Sequence, residues 1–268
     1  MMGRLTLCAD DFGMSRAISE TIASLAEQKK INATSCMAVC EGWRSDSPLL
    51  GDLPAPFQIG LHLTLTEKRP LSPMRQLARG GRMPTINSLA RSAFSNRLPL
   101  EEIDKELSAQ FEAFTHALGR PPDFVDGHQH AHVLPGIRRR VLAATVRYAP
   151  GAWLRDCTDN LMGMLARPWR LKAIASAVHS LGLGASARTH GLRTNCGFSG
   201  HYDFACDYAS LFPAFLRRAG TDHLVMCHPG SGRAAGDSIA AAREIEARAL
   251  RRLPIAELAE RHGLTFDR

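Results

Sequence analysis

The sequence predicts an α/β fold in which strands and helices alternate within one domain. Short apolar runs with a period of two residues recur along the chain, and helical patterns lie between them. Its 268 residues match the size at which α/β barrels exist as single units. Such an alternation predicts a largely parallel sheet, either open or closed into a barrel. We therefore expect residues 1–268 to form a single domain.

The elements at the start of the chain follow from its apolar pattern. A strand is predicted over 4–9, and Ser15 after it is a candidate N-cap for a helix. Two more strands are predicted over 33–40 and 57–66. In the last of these, alternate leucine and isoleucine residues share one face, which places His62 on the polar face.

The stretch 67–99 interrupts this alternation. It is rich in Arg, Pro, Gly and Ser, and a helical pattern occurs in it only over 86–94. We interpret 67–99 as a long excursion over the surface, and loops of this kind are usually functional. A helix is then predicted over 100–118, with Gly119 as its end.

The rest of the chain continues the alternation of strands and helices. The strand-like runs predict three further strands, at 123–127, 153–155 and 222–227. The helical patterns predict four further helices, at 135–148, 167–181, 237–252 and 254–262.

The composition is that of a globular protein with a sizeable core. Hydrophobic residues make up 45% of the chain and charged residues 22%, so disorder is not indicated. The net charge is +7, and basic residues cluster at 138–140, 217–218 and 251–252. No aromatic residues are interleaved with these clusters, as a stacking platform requires. We therefore expect a solvated basic surface and no nucleic acid partner, with nucleic acid binding as the weaker alternative.

Cysteine usage and the N-terminus bear on the cellular compartment. The seven cysteines form an odd set without a C-x-x-C pair, so neither a disulfide framework nor a zinc ribbon is predicted. Asp10 and Asp11 follow the N-terminus too closely for a signal-peptide core, and no apolar run of transmembrane length occurs. We expect a cytoplasmic protein without a transmembrane segment, and a homodimer stays open as its oligomeric state.

Two adjacent carboxylates, Asp10 and Asp11, stand at the end of the first predicted strand. This is the edge at which α/β proteins place their sites. Adjacent strand residues point to opposite sides, so one carboxylate can ligate a metal while the other, turned by the loop, acts as a base. The alternative that one of them only caps the following helix stays open.

Histidines mark two further strand ends. His128, His130 and His132 follow the strand at 123–127, and residues two apart in a strand stand about 6.6 Å from each other along it. All three cannot bind one ion unless the backbone bends, so we expect one ligand with supporting or substrate-facing neighbours. His228 follows the strand at 222–227 and is a candidate proton donor or an ordinary turn histidine. His62 alone is compatible with a hydrogen-bonded core histidine.

Together these residues indicate metal chemistry. One aspartate and two histidines from three different strand ends form a nitrogen and oxygen ligand set with open positions. Such a set suits Zn²⁺ or another divalent ion that binds and activates water.

Four motifs of the chain resemble those of the YdjC-family carbohydrate deacetylases. They are ADDFGMS at 9–15, IGLHLTLT at 59–66, VDGHQHAHVLPGI at 125–137 and CHPG at 227–230. That family includes chitooligosaccharide deacetylases and hopanoid-biosynthesis deacetylases. The resemblance implies a distorted (β/α) TIM-like barrel of the polysaccharide-deacetylase kind. It also implies hydrolysis of the acetamide of an N-acetylated oligosaccharide or glycolipid head group, with release of acetate.

The resemblance further implies roles for individual residues. One Mg²⁺ or Zn²⁺ ion is expected on Asp11, His62 and His128. Asp10 is then implied as the general base. His228 is implied as the acid, or as the group that stabilises the leaving amine.

Four more residues are expected to contact the substrate. His130 and His132 are the histidines that remain beside the ligand of their triplet. Arg155 and the segment 194–204, which contains Tyr202, resemble substrate-pocket elements of the family.

Other classes of function are compatible with parts of this pattern. Metal-dependent phosphoesterases and amidohydrolases also place His-x-His elements at barrel strand ends, but they usually hold two metals with bridging carboxylates or a lysine, which we do not find. A non-catalytic sugar-binding module would not need Asp10. A glycosidase needs two carboxylates about 5–9.5 Å apart on either side of the bond, and the adjacent Asp10 and Asp11 are a poor pair for that.

Overall fold

The computed structural model describes residues 2–267 apart from 52, 54, 233 and 235, and a parallel β-sheet lies at its centre. Its strands are β1 Gly3–Phe12, β2 Ala33–Cys36, β3 Gln58–Leu63, β4 Phe124–Gly127, β5 Trp153–Leu154, β6 Gly197–Ser199, β7 Asp222–Cys227 and β8 Leu264–Thr265.

The order of the strands is that of a distorted barrel. The sheet runs β5-β4-β3-β2-β1-β7-β6, and β8 adds to β1. A parallel bridge between Leu154 and Thr194 joins β5 to the chain just before β6, so the two ends of the sheet approach each other. The predicted α/β fold is confirmed. Because the strands are parallel, their carboxyl ends all lie on one side of the sheet, which is the side where barrels hold their sites.

Helices surround this sheet along the whole chain. They are α1 Arg16–Glu27, α2 Trp43–Asp46, α3 Ile86–Phe94, α4 Leu100–Leu118, α5 Ile137–Tyr148, α6 Leu161–Ala166, α7 Arg170–Ser180, α8 Leu183–Thr189, α9 Tyr208–Phe215, α10 Ala240–Arg252 and α11 Ile255–Arg261. Within the described part of the chain, no helix is long and apolar enough to span a membrane. The seven cysteines are free.

Strong local signals placed several elements correctly. Helix α4 begins and ends where its apolar period predicts, and Gly119 ends it in the left-handed conformation with φ 67°. Ser15 caps α1, because its side chain accepts a hydrogen bond from the backbone N–H of Ile18. The strand predicted over 222–227 coincides with β7.

Other predicted boundaries were wrong. The strand expected over 33–40 ends at Cys36, because the chain then turns and the N–H of Cys40 bonds to the carbonyl of Met37. The single helix expected over 167–181 is α7 alone, and it lies between two shorter helices. Six short elements were missed altogether: α2, α6, α8, α9, β6 and β8.

The excursion over 67–99 is anchored on the protein. It contains the helix predicted over 86–94, which is α3, and it buries Met74, Met83 and Leu89. The fully buried carboxylate of Glu106 on α4 accepts hydrogen bonds from the backbone of Leu71 and Ser72, at 3.1 and 2.8 Å. The excursion is therefore a packed cover with hydrogen-bonded contacts to α4.

The core beside β3 leaves no room for a side chain at Gly60. Phe124 on β4 stacks on Trp153 of β5 with ring centroids 4.6 Å apart, and both rings are buried. A methyl group at Gly60 would overlap the ring of Phe124. The ring cannot move away, because close-packed neighbours hold it.

We expect Gly60→Ala to lower the free energy of unfolding by about 1–3 kcal/mol, because overpacking forces the backbone or ring to shift. Urea denaturation measures this value. The control is Gly151→Ala, since an added methyl there meets no atom within 4 Å. Gly151→Ala should stay within about 0.5 kcal/mol of the parent, and an equal loss in both variants would show that packing against Phe124 is not the cause.

Candidate active site

The two aspartates of β1 reach one cavity because the strand carries an extra residue. Ala9 pairs with Thr34 and Phe12 with Cys36, so the register shifts between these pairs. Asp11 adopts φ 71°, which turns the chain at this point. Instead of being separated by the sheet, Asp10 and Asp11 both line the same cavity.

Asp11, His62 and His128 come together at the carboxyl ends of β1, β3 and β4. The Oδ1 atom of Asp11 lies 3.4 Å from Nε2 of His62 and 3.0 Å from Nδ1 of His128. One ligand atom from each of the three residues lies within 4.8 Å of the other two. One carboxylate oxygen and two imidazole nitrogens at this spacing are a suitable donor set for a divalent metal ion.

A buried carboxylate orients His62 within this set. Nδ1 of His62 donates to Oδ1 of Asp126 at 2.7 Å, and the hydroxyl of Ser35 donates to the same oxygen. The bond to Asp126 fixes the ring so that Nε2 faces Asp11. Metal-binding histidines typically donate their second nitrogen to a carboxylate in this way, so the arrangement fits a metal centre.

The charges around the set also favour a cation. The guanidinium groups of Arg155 and Arg243 contact four carboxylates between them, those of Asp10, Asp11, Asp126 and Asp237, so the carboxylates outnumber the guanidinium groups. Although burial opposes the charged imidazole, Asp126 and Asp11 raise the pKa of His62 to about 10. Surroundings that bind a proton so firmly also stabilise a metal ion in its place.

Arg243 orients the carboxylate of Asp11. Its guanidinium donates to Oδ2 of Asp11 at 2.7 Å and, through Nε, to Asp237 at 2.8 Å. Burial opposes ionisation of Asp11, but Arg243 and then His128 outweigh it and hold its pKa well below the ordinary value. Asp11 is therefore an anion whose two oxygens have separate partners.

Asp10 is held by a buried arginine. Arg155 is fully buried and donates to both carboxylate oxygens of Asp10 at 2.6 Å, and it also pairs with Asp126 at 2.5 Å. Burial raises the pKa of Asp10, but Arg155 outweighs this effect and lowers the pKa below its ordinary value. Asp10 is thus ionised and fixed in orientation beside Asp11, His62 and His128.

His228 faces Asp10 across the cavity. Its Nε2 lies 4.0 Å from Oδ2 of Asp10, and its ring meets the ring of Phe204 edge-on at 5.5 Å. Burial lowers the pKa of His228 to about 4, so its imidazole is neutral near pH 7. The backbone N–H of His228 donates to the buried Glu246 at 2.5 Å, which fixes the turn that carries the ring.

The cavity brings most of the predicted site residues together. It has a volume of about 310 Å³. Seven predicted residues line it: Asp10, Asp11, His62, His128, His130, Tyr202 and His228.

Two of the residues expected to bind substrate lie behind the cavity. His132 is buried and its Nε2 donates to the carbonyl of Arg155 at 2.9 Å. The guanidinium of Arg155 is occupied by two carboxylates. Direct contact of either residue with a substrate is therefore not supported, because both are enclosed by protein. The chain forms a short helical turn over His128–Val133, in which Gln129 and His130 have positive φ. This turn directs His128 and His130 to the cavity and His132 into the protein.

Sequence reasoning missed three residues of the site. Asp126 could have been found, because it stands two residues before His128 and two-residue periodicity places both on one side of the strand. Arg243 and Glu246 could not, because α10 contains many arginines and glutamates with no signal that separates these two. Arg243 and Glu246 are three residues apart, so they lie on the same face of α10. That this face is turned toward the cavity follows only from the packing of the folded chain.

A family model described as YdjC-like protein matches residues 4–261. The chain belongs to the YdjC family. The chitooligosaccharide deacetylase of Proteus mirabilis (strain HI4320) is 37% identical over 133 residues, which are 50% of this chain and 51% of that protein. The chitooligosaccharide deacetylase of Enterobacter sp. (strain 638) is 35% identical over 50% of this chain and 52% of that protein. The chain thus spans about half the length of these curated relatives.

A solved structure shares the fold over its full length. It is a protein of Enterococcus faecalis V583 whose proposed activity is cellobiose-phosphate cleavage. The TM-score is 0.74 with 20% identity, over 100% of this chain and 97% of that one. At this identity the likeness concerns the fold only.

We expect His62→Ala and His128→Ala each to abolish stoichiometric metal binding, because each removes one of three ligands. Elemental analysis of purified, metal-loaded variants measures the metal content per chain. The control is His130→Ala, which removes a cavity histidine outside the ligand set and should keep the full metal content. Full metal content in both ligand variants would overturn this assignment.

Proposed function

We propose that this chain hydrolyses the acetamide of an N-acetylated sugar and releases acetate, with one Mg²⁺ or Zn²⁺ ion on Asp11, His62 and His128. The observation that carries the proposal is the convergence of this ligand set with Asp10 and His228 in one cavity. The names of the curated relatives, which are chitooligosaccharide deacetylases, support the same chemistry. A divalent ion bound there supplies electrophilic activation of the acetyl carbonyl and a lowered pKa for the attacking water.

Asp10 is the proposed general base. Arg155 keeps its carboxylate ionised and fixes the direction of both oxygens. A carboxylate of low pKa is a weak base, so it can accept a proton only from a water of raised acidity. This requirement accounts for the position of Asp10 directly beside the metal-ligand residue Asp11.

His228 is the proposed group that protonates the leaving amine. It is neutral before the reaction, so it must first gain a proton at Nε2. Asp10 Oδ2, 4.0 Å away, is the nearby group that acquires a proton from water in this scheme. The same proton can then reach the sugar nitrogen, which requires protonation to leave as an amine.

The remaining cavity residues are proposed to position the sugar. Tyr202 has its hydroxyl bound to Glu246 at 2.5 Å and is buried, so it borders the cavity as a fixed wall and offers the sugar no hydrogen bond. The half-buried His130 offers a neutral imidazole, because burial holds its pKa well below the ordinary value. A cavity of about 310 Å³ lies at the small end of ligand sites, which fits one acetylated sugar unit better than a longer oligosaccharide.

A two-metal phosphoesterase or amidohydrolase is less well supported. In the described residues, the second group with metal-ligand spacing is Cys8, Asp10 and Asp126, and all three are buried. Arg155 occupies the space between these carboxylates, so this group has its cation already. A sugar-binding module without catalysis would not need the carboxylate of Asp10 in the cavity. The free cysteines agree with the cytoplasmic location that we propose.

We expect acetate release from N-acetylated saccharides by the metal-loaded chain and its loss on chelation. Asp10→Asn should keep the metal and lower kcat by about 10²–10⁴-fold, because the amide cannot accept a proton. An acetate assay over a panel of saccharides and glycolipids, with elemental analysis alongside, measures both. Near-parental kcat in Asp10→Asn would exclude this base, and absence of metal-dependent acetate release from every member of the panel would contradict the proposed activity.

We expect His228→Ala to lower kcat for an acetamide more than for the matching acetyl ester. An amine needs a proton to leave, whereas an alcohol leaves with less assistance. Parallel assays of the amide and ester substrates give the ratio of the two losses. Equal losses would show that His228 only positions the substrate.

A further inference from the structure

Two consecutive helices, α6 and α7, expose large apolar side chains to solvent. Leu171 is 78% exposed and Val178 is 56% exposed on α7. On α6 and just after α7, four more are exposed: Leu161, Met162, Leu165 and Leu181. Most large apolar side chains elsewhere in the described chain lie in the core, so these helices are an exception. Clustered exposed apolar residues usually mark an interaction site.

The apolar residues of α7 form a stripe on its outer face. Leu171, Ala175 and Val178 are spaced by four and three residues, which places them on one side of the helix, and all three are exposed. The inner side of α7 buries only small residues, Ala177 and Ser180. The helix therefore turns its larger apolar side chains outward, the reverse of a helix that only covers a core.

The same region is strongly basic. Between Asp159 and Asp203 the sequence contains no acidic residue, whereas it contains five arginines and lysines. Arg170, Arg188 and Arg193 are exposed, and no carboxylate of the described residues forms an ion pair with them. Exposed apolar side chains flanked by unpaired cations are complementary to a negatively charged apolar boundary.

This surface borders the candidate active site. Lys172, next to Leu171 on α7, lines the cavity and donates to the carbonyl of Tyr202 at 2.8 Å. Its ammonium also lies over the rings of Trp169 and Phe204, at 5.6 and 6.0 Å. A partner bound on α6 and α7 would thus lie beside the cavity.

The geometry points to an anionic lipid bilayer as the partner of the α6–α7 surface. Leucine, methionine and valine side chains enter the apolar layer, and the arginines contact lipid phosphates. A second copy of the chain fits less well, because a symmetric dimer would bring the same basic surface of both copies together. This inference goes beyond the proposed function, and its test requires no turnover.

Sedimentation of the full chain with lipid vesicles tests the inference. Vesicles of phosphatidylglycerol and phosphatidylethanolamine provide the anionic surface, and phosphatidylcholine vesicles provide the neutral one. We expect binding to the anionic vesicles that weakens as salt rises from about 0.1 M to about 1 M, since the Debye length falls from about 10 to about 3 Å. A sample without vesicles corrects for aggregation.

Matched variants identify the surface. Leu171→Asp combined with Val178→Asp should lower the vesicle partition constant at least about tenfold, because it removes two apolar groups that would enter the bilayer and adds charge that anionic lipid repels. The control is Val146→Asp, which alters an exposed valine of α5 and should leave binding unchanged. Circular dichroism and unfolding midpoints establish that the variants are folded.

Three results would overturn the inference. One is binding to anionic vesicles no greater than to phosphatidylcholine vesicles. Another is an equal loss in Val146→Asp and in the double variant. The third is a parent chain that binds no vesicles and forms a concentration-dependent dimer, measured by light scattering, which the double variant does not form. This result would assign the surface to self-association.

Discussion

The ion pairs of Arg155 hold the ends of three strands in place. The fully buried guanidinium joins Asp10 of β1 to Asp126 of β4, and Arg155 itself directly follows β5. Burying such charges costs several kcal/mol per ion, and loss of one partner typically destabilises a protein by about 3–5 kcal/mol. Asp126 in turn orients His62, so the same arginine determines the geometry of both the proposed base and a proposed metal ligand. The site therefore depends on a contact that no substrate touches.

The balance of buried charge connects this framework to the chemistry. Arg155 and Arg243 contact four aspartates and therefore satisfy much of their negative charge, but not all of it. Asp11, His62 and His128 meet beside these ion pairs. A framework neutralised completely by arginines would have little affinity for a metal ion, and one without arginines would be too costly to bury. Partial neutralisation of the aspartates by arginines therefore suits a site that must stay folded and still attract a cation.

Local sequence signals predicted the parts of the molecule that depend on local physics. Helix α4 has a regular apolar period and a terminal glycine, so its bounds were predicted correctly. Strands β6 and β8 have three and two residues, and their pairing with β7 and β1 creates them, so no pattern within them could predict them. The Asp and His residues of the site stood out by type and position at strand ends. The positions of Arg243 and Glu246 at the site depend on how α10 packs in the folded chain. No pattern in the sequence of α10 predicts that packing.

The extra residue in β1 has a mechanical consequence. Because Asp10 and Asp11 are consecutive, their Cα atoms are about 3.8 Å apart by covalent geometry, whatever the surrounding helices do. A displacement of any other element that lines the cavity cannot change the spacing of these two Cα atoms. The proposed metal ligand and base therefore form a fixed reference unit within the site. The groups contributed by other strands, helices and turns are aligned to it by non-covalent contacts alone.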